Sequence, residues 1–490
     1  MPVKIRRPHF PFIEKIDRVE DPFSAYCSFA SSKDGASVLL ESARFSKRTG
    51  RYSIAAKDPF LIFQSKGRKI KLERRGKTET VTGDPFKILK ALLQKYATSA
   101  RPGLPPFSGG AVGYFGYEAK NILEPRLTQK AKDDLCLPDS YFLFFDQGVV
   151  WDHEARVVYL FAPSPDGLKK LKAEFDSVIA SRVRGQSLNS DIESCQNLRT
   201  DPYVYEPNLK SSLNRQEFIE RVRKVKSYIR SGDIYQANIS QRFSFDVDAT
   251  ARKIYGSLRR INPSPFFGIL DAGDFQIVSG SPERLVKLEN GILETRPIAG
   301  TRSRGKTSEE DSALSRELIL NEKERAEHIM LVDLERNDLG RVCEHGSVSV
   351  DELMAIEDYS HVKHIVSNVR GILRDGLDAV DVLKALFPGG TITGAPKVRC
   401  MEIIDELEPV ARGPYTGSLG YFSFDGSMDF NIVIRSLVMK DKKAYLHVGA
   451  GIVADSDPGR EYDETLYKAE AVFSALFGRK KTGQFTARNA

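Results

Sequence analysis

Cysteine is scarce in this chain and nothing pairs it: Cys27, Cys136, Cys195, Cys343 and Cys400 are scattered, odd in number and without a C-x-x-C spacing. That excludes a disulfide framework or a cysteine zinc site and points to reduced thiols in a cytoplasm. No apolar run approaches the length of about eighteen residues that a membrane-spanning helix needs. The opening stretch MPVKIRRPHFPFIEKIDRVEDPF carries positive charge but no apolar core, so no secretory signal is expected. Long basic runs are absent too. The net charge of +7 is therefore spread thinly, which argues against nucleic acid and suits an acidic small molecule. No G-x-G-x-x-G follows a strand and no P-loop occurs, so a nucleotide cofactor is not indicated.

What remains is an ordinary globular composition, 28% charged and 41% hydrophobic over 490 residues, enough for about three average domains. The first half alternates β-type runs with turn signals: ASVLLESAR, RYSIAAKDPFLIFQ, GRKIKLERRGKTETVTG and YFLFFDQGVVWDHEARVVYLFAP. These read as hairpins of an antiparallel sheet. A polar, aperiodic stretch over 183–210 reads as a linker between an N-terminal region, 1–182, and a C-terminal region, 211–478, followed by a polar tail, 479–490. Asn214 and Glu217 have capping-box spacing, and Phe218, Val222, Val225 and Ile229 recur at helical period. Further strands are expected at IYQANISQRFSFDV, FQIVSG, RLVKLENGILETRP, LGYFSFDG, NIVIRSLVMK and AYLHVGAGIV. Helices are expected near 308–334, 378–386, 396–406 and 462–477. Strands in hairpin groups with helices between the groups indicate an α+β fold, large antiparallel β-sheets with helices packed outside.

Two glutamate pairs carry the chemistry. Glu324 and Glu327 are three residues apart, as are Glu461 and Glu464, with Lys468 four residues beyond, so each set occupies one helix face. Carboxylates that face each other from two helices repel unless a cation lies between them, and a hard ion such as Mg2+ suits oxygen ligands. Around them lie Glu283, the turn-like Pro297–Thr301, and the Gly/Pro/Thr-rich LFPGGTITGAP, whose backbone N–H groups suit an anion. Arg435, placed on a strand, offers a planar fork to a carboxylate. Gly449 and Gly451 allow a ligand close to the backbone.

The motifs RPIAGT, HIMLVDLERNDLGRV, GAPKVRCMEIIDELEP and GIVADSDPGREYDET together resemble the chorismate-utilising enzymes, the family of anthranilate synthase component I, aminodeoxychorismate synthase component I, isochorismate synthase and salicylate synthase. The resemblance implies the anthranilate-synthase-type α/β sandwich. It implies Glu327 and Glu464 as direct Mg2+ ligands, supported by Glu461 and Glu324. Arg435, Tyr415, Gly449, Gly451 and Lys468 match groups that bind the carboxylates of chorismate. Glu283 matches a general acid for the C4 hydroxyl, and Thr391 and His364 match positions beside the reacting ring.

Members that add water resemble one another in having a lysine base where this chain has Gln236. A neutral amide cannot deprotonate water, whereas ammonia attacks through its own lone pair. Amination is thus implied, with ammonia from a separate glutamine amidotransferase, because no glutaminase signature is present. Two products stay open. Ala299, where many aminodeoxychorismate synthases have a lysine, and Thr391 match the anthranilate branch; Asn238, the double glycine of LFPGGTITGAP, VDLERND and GSMDFNIVIRS match the aminodeoxychorismate branch, which is placed first. An inactive chorismate-binding homologue is the third reading. Leu40, Glu41 and Ser42, with Pro263 and Ser264, match the parts of anthranilate synthases that hold feedback tryptophan, so a tryptophan-sized pocket is expected there.

Overall fold

The computed structural model describes residues 11–17, 20–30, 35–42, 49–128, 130–183, 208–358 and 362–477. Most of the expected linker and all of the expected polar tail lie outside the described residues. Two antiparallel sheets dominate, each with twelve strands among the described residues. One runs in the order Phe12–Ile16, Val157–Ala162, Gly148–Asp152, Tyr52–Lys57, Ser37–Glu41, Phe266–Asp271, Phe275–Ser281, Ser436–Lys440, Lys443–Ile452, Gln236–Asp246 and Lys210–Ser211, with Gly394–Ala395 beside Gln236–Asp246. The other runs Ile298–Ser303, Val362–Ile372, Ile292–Thr295, Arg284–Glu289, Met428–Asn431, Ser418–Ser423, Gly110–Phe115, Ser140–Phe145, Leu61–Lys66, Lys69–Arg74 and Lys77–Thr82, with Ser349–Asp358 on Val362–Ile372. Both sheets therefore take strands from either side of the 183–210 stretch.

The period-2 side-chain alternation of a strand explains the layering. Val38 and Ile54 of one sheet meet Tyr114 and Leu143 of the other in a core between the sheets. Their chain neighbours Leu39 and Ala55 face a second core under the helices Pro22–Phe29, Arg215–Arg230 and Ala251–Ile261. Phe115 and Phe142 face a third core, under the helices Pro85–Lys95 and Ala379–Leu386. The result is helices outside, two sheets inside.

The capping box forms as expected: the Asn214 side chain accepts from the Glu217 N–H at 2.9 Å and the Glu217 carboxylate accepts from the Asn214 N–H at 2.8 Å. Elsewhere the structure departs from the pattern. The single helix expected near 308–334 is two, Ser308–Leu320 and Glu322–Gly340, because Asn321 ends the first and caps the second through Glu324 N–H at 3.0 Å. The run NIVIRSLVMK is not one strand. Its ends belong to different sheets, so the chain crosses between them over 432–435, and Arg435 sits in that crossing with φ of 51° instead of on a strand. Helices Pro22–Phe29, Pro85–Lys95, Pro165–Val183 and Ala251–Ile261, and strand Ser349–Asp358, were not anticipated.

Candidate functional site

A cavity of about 1050 Å³ opens where the crossing at Arg435 meets the ends of strands Gln236–Asp246 and Lys443–Ile452. Its wall contains Glu283, His364, Thr391, Gln236, Ala299, Arg435, Tyr415, Gly449, Gly451, Lys468, Glu327, Glu464, Glu461 and Glu324, so the catalytic, substrate and metal candidates all share one space. Leu40, Glu41, Ser42, Pro263 and Ser264 are not part of that wall.

Helix Glu322–Gly340 presents Glu324 and Glu327, and helix Pro458–Phe477 presents Glu461, Glu464 and Lys468. Burial, with Glu324 and Glu464 nearby, raises the Glu327 carboxyl. Burial and Glu464 raise Glu461 in the same way. The positive charge within reach is partial: Lys468 pairs with Glu464 at 2.8 Å and Arg302 with Glu324 at 3.1 Å. Among the described residues no three acidic, histidine or cysteine side chains converge on one point. Paired carboxylates raised by each other's charge fit a hard divalent ion that takes one or two protein oxygens and completes its shell with water and substrate.

Glu283 is buried and pushed up to about 7 by desolvation, against the opposing pull of the Thr391 hydrogen bond and the Arg435 charge. The Thr391 hydroxyl donates to Glu283 Oε1 at 2.9 Å, and the Ile298 backbone also hydrogen-bonds the carboxyl. Burial and the Arg435 charge lower His364 to about 4, and the ring is neutral at pH 7. Its Nδ1 lies 3.1 Å from the Gly300 carbonyl and 3.0 Å from Thr301 Oγ1. A carbonyl only accepts, so Nδ1 carries the proton.

Adjacent strands build the opposite wall. Asn238 pairs with Gly451 and Ser240 with Gly449. Gln236 Nε2 donates to Glu327 Oε1 at 3.1 Å, while Gln236 Oε1 and Asn238 Oδ1 are buried acceptors with no donor. A Cβ at Gly451 would come within 2.7 Å of Gln236 Nε2. Lys468 Nζ donates to the Gly449 carbonyl at 3.0 Å.

Two functional residues escaped the sequence reading. His447 lines the cavity, stacks on Tyr415 with ring centroids 5.1 Å apart, and is held neutral by burial. Its position two residues before Gly449 on an alternating strand was the available signal. Arg412 lies behind the wall, where it chelates Glu408 at 2.8 and 2.7 Å and donates to the carbonyls of Asn238 at 2.8 Å and Ile392 at 3.1 Å. One buried guanidinium thereby fixes the Asn238 strand, the Thr391 turn and, 5.6 Å away, the Tyr415 ring. Nothing in local spacing announces that role.

Three of the residues expected to hold tryptophan make hydrogen bonds within the chain. Glu41 Oε2 accepts from Tyr255 at 2.7 Å and Oε1 from Arg259 at 2.6 Å. Ser42 N–H donates to Ser53 Oγ at 3.1 Å, and Ser264 donates to the Ser281 carbonyl at 2.6 Å.

The strand ends of a two-sheet sandwich thus enclose a buried carboxyl raised toward neutrality, an arginine and paired glutamates. The family described as chorismate binding enzyme matches residues 41–474. Anthranilate synthase component 1 of Acetivibrio thermocellus is 44% identical over 467 residues, covering 94% of this chain and 93% of that protein. Aminodeoxychorismate synthase component 1 of Bacillus subtilis (strain 168) is 46% identical over 439 residues, covering 90% and 91%. A solved structure, anthranilate synthase component I from Streptococcus pneumoniae TIGR4, superposes with a TM-score of 0.75 at 35% identity, covering 88% of this chain and 93% of the other. The chain belongs to the chorismate-binding enzyme family, as a component I synthase.

Among the described residues no helix is long and apolar enough to cross a membrane.

Proposed function

We propose that this chain aminates chorismate with ammonia supplied by a separate glutamine amidotransferase, in a Mg2+-dependent reaction that yields 4-amino-4-deoxychorismate. The observation that carries amination is Gln236: it lines the cavity as a neutral amide whose nitrogen is spent on Glu327, so it offers no base there. Ammonia brings its own lone pair to the ring and needs no base. Water would need one.

Arg435, with Lys468 and the backbone at Gly449 and Gly451, takes the substrate carboxylates. Glu283 gives its proton to the departing C4 hydroxyl, Thr391 holds that carboxyl in place, and neutral His364 adds no second positive charge beside Arg435. Glu327 and Glu464 would hold Mg2+, with Glu461 and Glu324 in support; when bound, the ion neutralises the substrate carboxylate and fixes its position. Stripping divalent ions with EDTA is expected to lower turnover on the order of a hundredfold or more, the size of a lost Lewis-acid contact, and added Mg2+ is expected to restore it. Activity that survives chelation overturns the metal assignment.

Amination at C4 is supported by Asn238, two residues from Gln236 on the same strand, and by the LFPGGTITGAP, VDLERND and GSMDFNIVIRS segments; 46% identity to an aminodeoxychorismate synthase and 44% to an anthranilate synthase leave the two products level. Anthranilate formation is the second reading, favoured by Ala299, which puts no amine in the cavity wall to attack the ring. Incubation with chorismate, Mg2+ and ammonium, followed by separation by mass and fluorescence, decides between them. The expected product keeps the enolpyruvyl ether; anthranilate with pyruvate as the sole outcome refutes the first reading.

Feedback by tryptophan at Glu41 would require its ammonium to displace Arg259. Losing a charge-assisted hydrogen bond of roughly 1.5–3 kcal/mol weakens binding by about 10- to 150-fold. Titration calorimetry is expected to show tighter binding of tryptophan to Arg259→Ala than to the wild-type chain, and equal or weaker binding to the variant counts against a tryptophan site.

A further inference from the structure

A second cavity, of about 1170 Å³, lies apart from the chemistry, and none of the residues assigned to the chorismate site lines it. It is walled by the turn at 271–276, the hairpin at 439–443 and the start of helix Ala251–Ile261. Arg252, in the first turn of that helix, lines it while being only 7% exposed. The guanidinium sits 5.3 Å from the Tyr26 ring centroid, and its Nη2 is buried without a hydrogen-bond acceptor. Among the described residues no carboxylate pairs with it. Elsewhere in the chain buried arginines are matched: Arg284 by Asp429 at 2.9 Å and Arg412 by Glu408 at 2.7 Å.

An arginine cannot shed its proton to escape burial, and an aromatic face offsets only part of the lost hydration. The charge at Arg252 therefore calls for an anion from outside the chain. The helix adds to the demand: its first turn contains no acidic residue, Thr250 caps it through Lys253 N–H at 3.4 Å, and its end carries partial positive charge. The rim carries both signs, with Lys71, Lys440, Lys442 and Lys443 against Asp58, Glu73, Asp248, Asp271, Asp274 and Asp441. Those carboxylates repel a polyanion more strongly than a singly charged planar group. The guanidinium fork matches a carboxylate in two parallel hydrogen bonds.

We propose that this cavity is a binding site for a small-molecule carboxylate, held by Arg252 at the start of helix Ala251–Ile261 and separate from the chorismate cavity. Its occupant spans the space between the turn at 271–276 and the hairpin at 439–443.

The test uses the full chain and 4-bromobenzoate as probe. Crystals soaked with it are expected to show a bromine anomalous peak in this cavity with the carboxylate on Arg252. In solution at fixed ionic strength the probe is expected to raise Tm in a saturating manner, and to do so equally in Arg435→Gln, which removes the anion site of the other cavity. The shift is expected to vanish in Arg252→Gln and in Arg252→Met. With chloride as the only anion, Arg252→Met is expected to melt above the wild-type chain, because it removes an unmatched buried charge. No peak in the cavity, a shift that persists without Arg252, or a shift that disappears in Arg435→Gln overturns the proposal. So does Arg252→Met melting below wild type while the wild-type chain ignores the probe, which would make Arg252 a packing partner of Tyr26 alone. A phosphate soak that fills the cavity where 4-bromobenzoate does not would overturn the choice of carboxylate.

Discussion

Glu283→Gln is expected to lower kcat by roughly two to four orders of magnitude, the range typical of a lost general acid, while chorismate binding stays within a few-fold. The substitution keeps the shape and the Thr391 hydrogen bond at Oε1 but leaves no transferable proton. The pH profile separates this role from a merely structural one. Burial pushes the acid up to about 7, so the wild-type rate, measured at constant free ammonia, falls as pH rises through that value. The variant is expected to lose that limb. A raised carboxyl pKa also carries a stability signature: the neutral form is the one the fold favours, so its contribution is present below the ordinary carboxyl value of 4.5 and is lost as pH climbs through 7. Melting temperature should therefore decline less between pH 6 and 8 in the variant than in the wild type. Glu335, pushed up to about 8 by burial and by Asp338, acts in the same direction and is untouched by the substitution. An unchanged pH profile with a modest loss of rate would sink the assignment of Glu283 as acid.

Gly449→Ala is expected to damage substrate binding strongly, with kcat/KM falling on the order of a hundredfold and most of the loss in KM. A Cβ there would stand 2.6 Å from Asn238 Oδ1, 2.8 Å from Tyr415 Oη and 2.9 Å from the Ile239 carbonyl. The last is backbone of the paired strand and cannot turn aside. Tyr415 is wedged between His447 on one face and Arg412 nearby, so it has little room to yield. Overpacking of this kind costs about 1–3 kcal/mol and shifts the groups around it. Gly451→Ala makes a useful contrast, because its Cβ meets mainly Gln236 Nε2, the end of a flexible side chain. That variant is expected to keep chorismate affinity and to lose use of ammonia as the Gln236 amide swings from Glu327. Measuring KM for chorismate and for ammonium in both variants checks the pair; a larger chorismate defect at 451 than at 449 contradicts this geometry.

Much of the fold could be read before any coordinate. Asn214 and Glu217 state a helix start in four residues, and the β-type runs ASVLLESAR and RYSIAAKDPFLIFQ between turn signals state strands of antiparallel hairpins. Pro22–Phe29 and Pro85–Lys95 were overlooked although Asp21 and Asp84 stand before a proline at the first helical position in each. Their brevity among β-type runs hid them. Arg435 shows a deeper limit. Apolar residues lie on both sides of it, Ile432 to Ile434 before and Leu437 to Met439 after Ser436, and nothing local says that the chain changes sheets there, because the reason lies in which distant strands claim each end. The glutamate pairs were legible because helical spacing is local. Arg412 was not, since its acceptors at Asn238 and Ile392 come from remote parts of the chain and meet it only after folding.

The mixed ancestry of both sheets has a consequence for how the chain is made. Strand Gly110–Phe115 finds its second neighbour only in Ser418–Ser423, and Ser37–Glu41 finds one only in Phe266–Asp271. On the ribosome, at about 5–20 residues per second, the early strands wait for tens of seconds with an open hydrogen-bonding edge, and such edges are templates for aggregation. Those edges stay open until the strands at 266–271 and 418–423 have been made. A cut near the linker would leave two fragments, with five and seven strands of each sheet, and the residues lining the chorismate cavity would all be on the second.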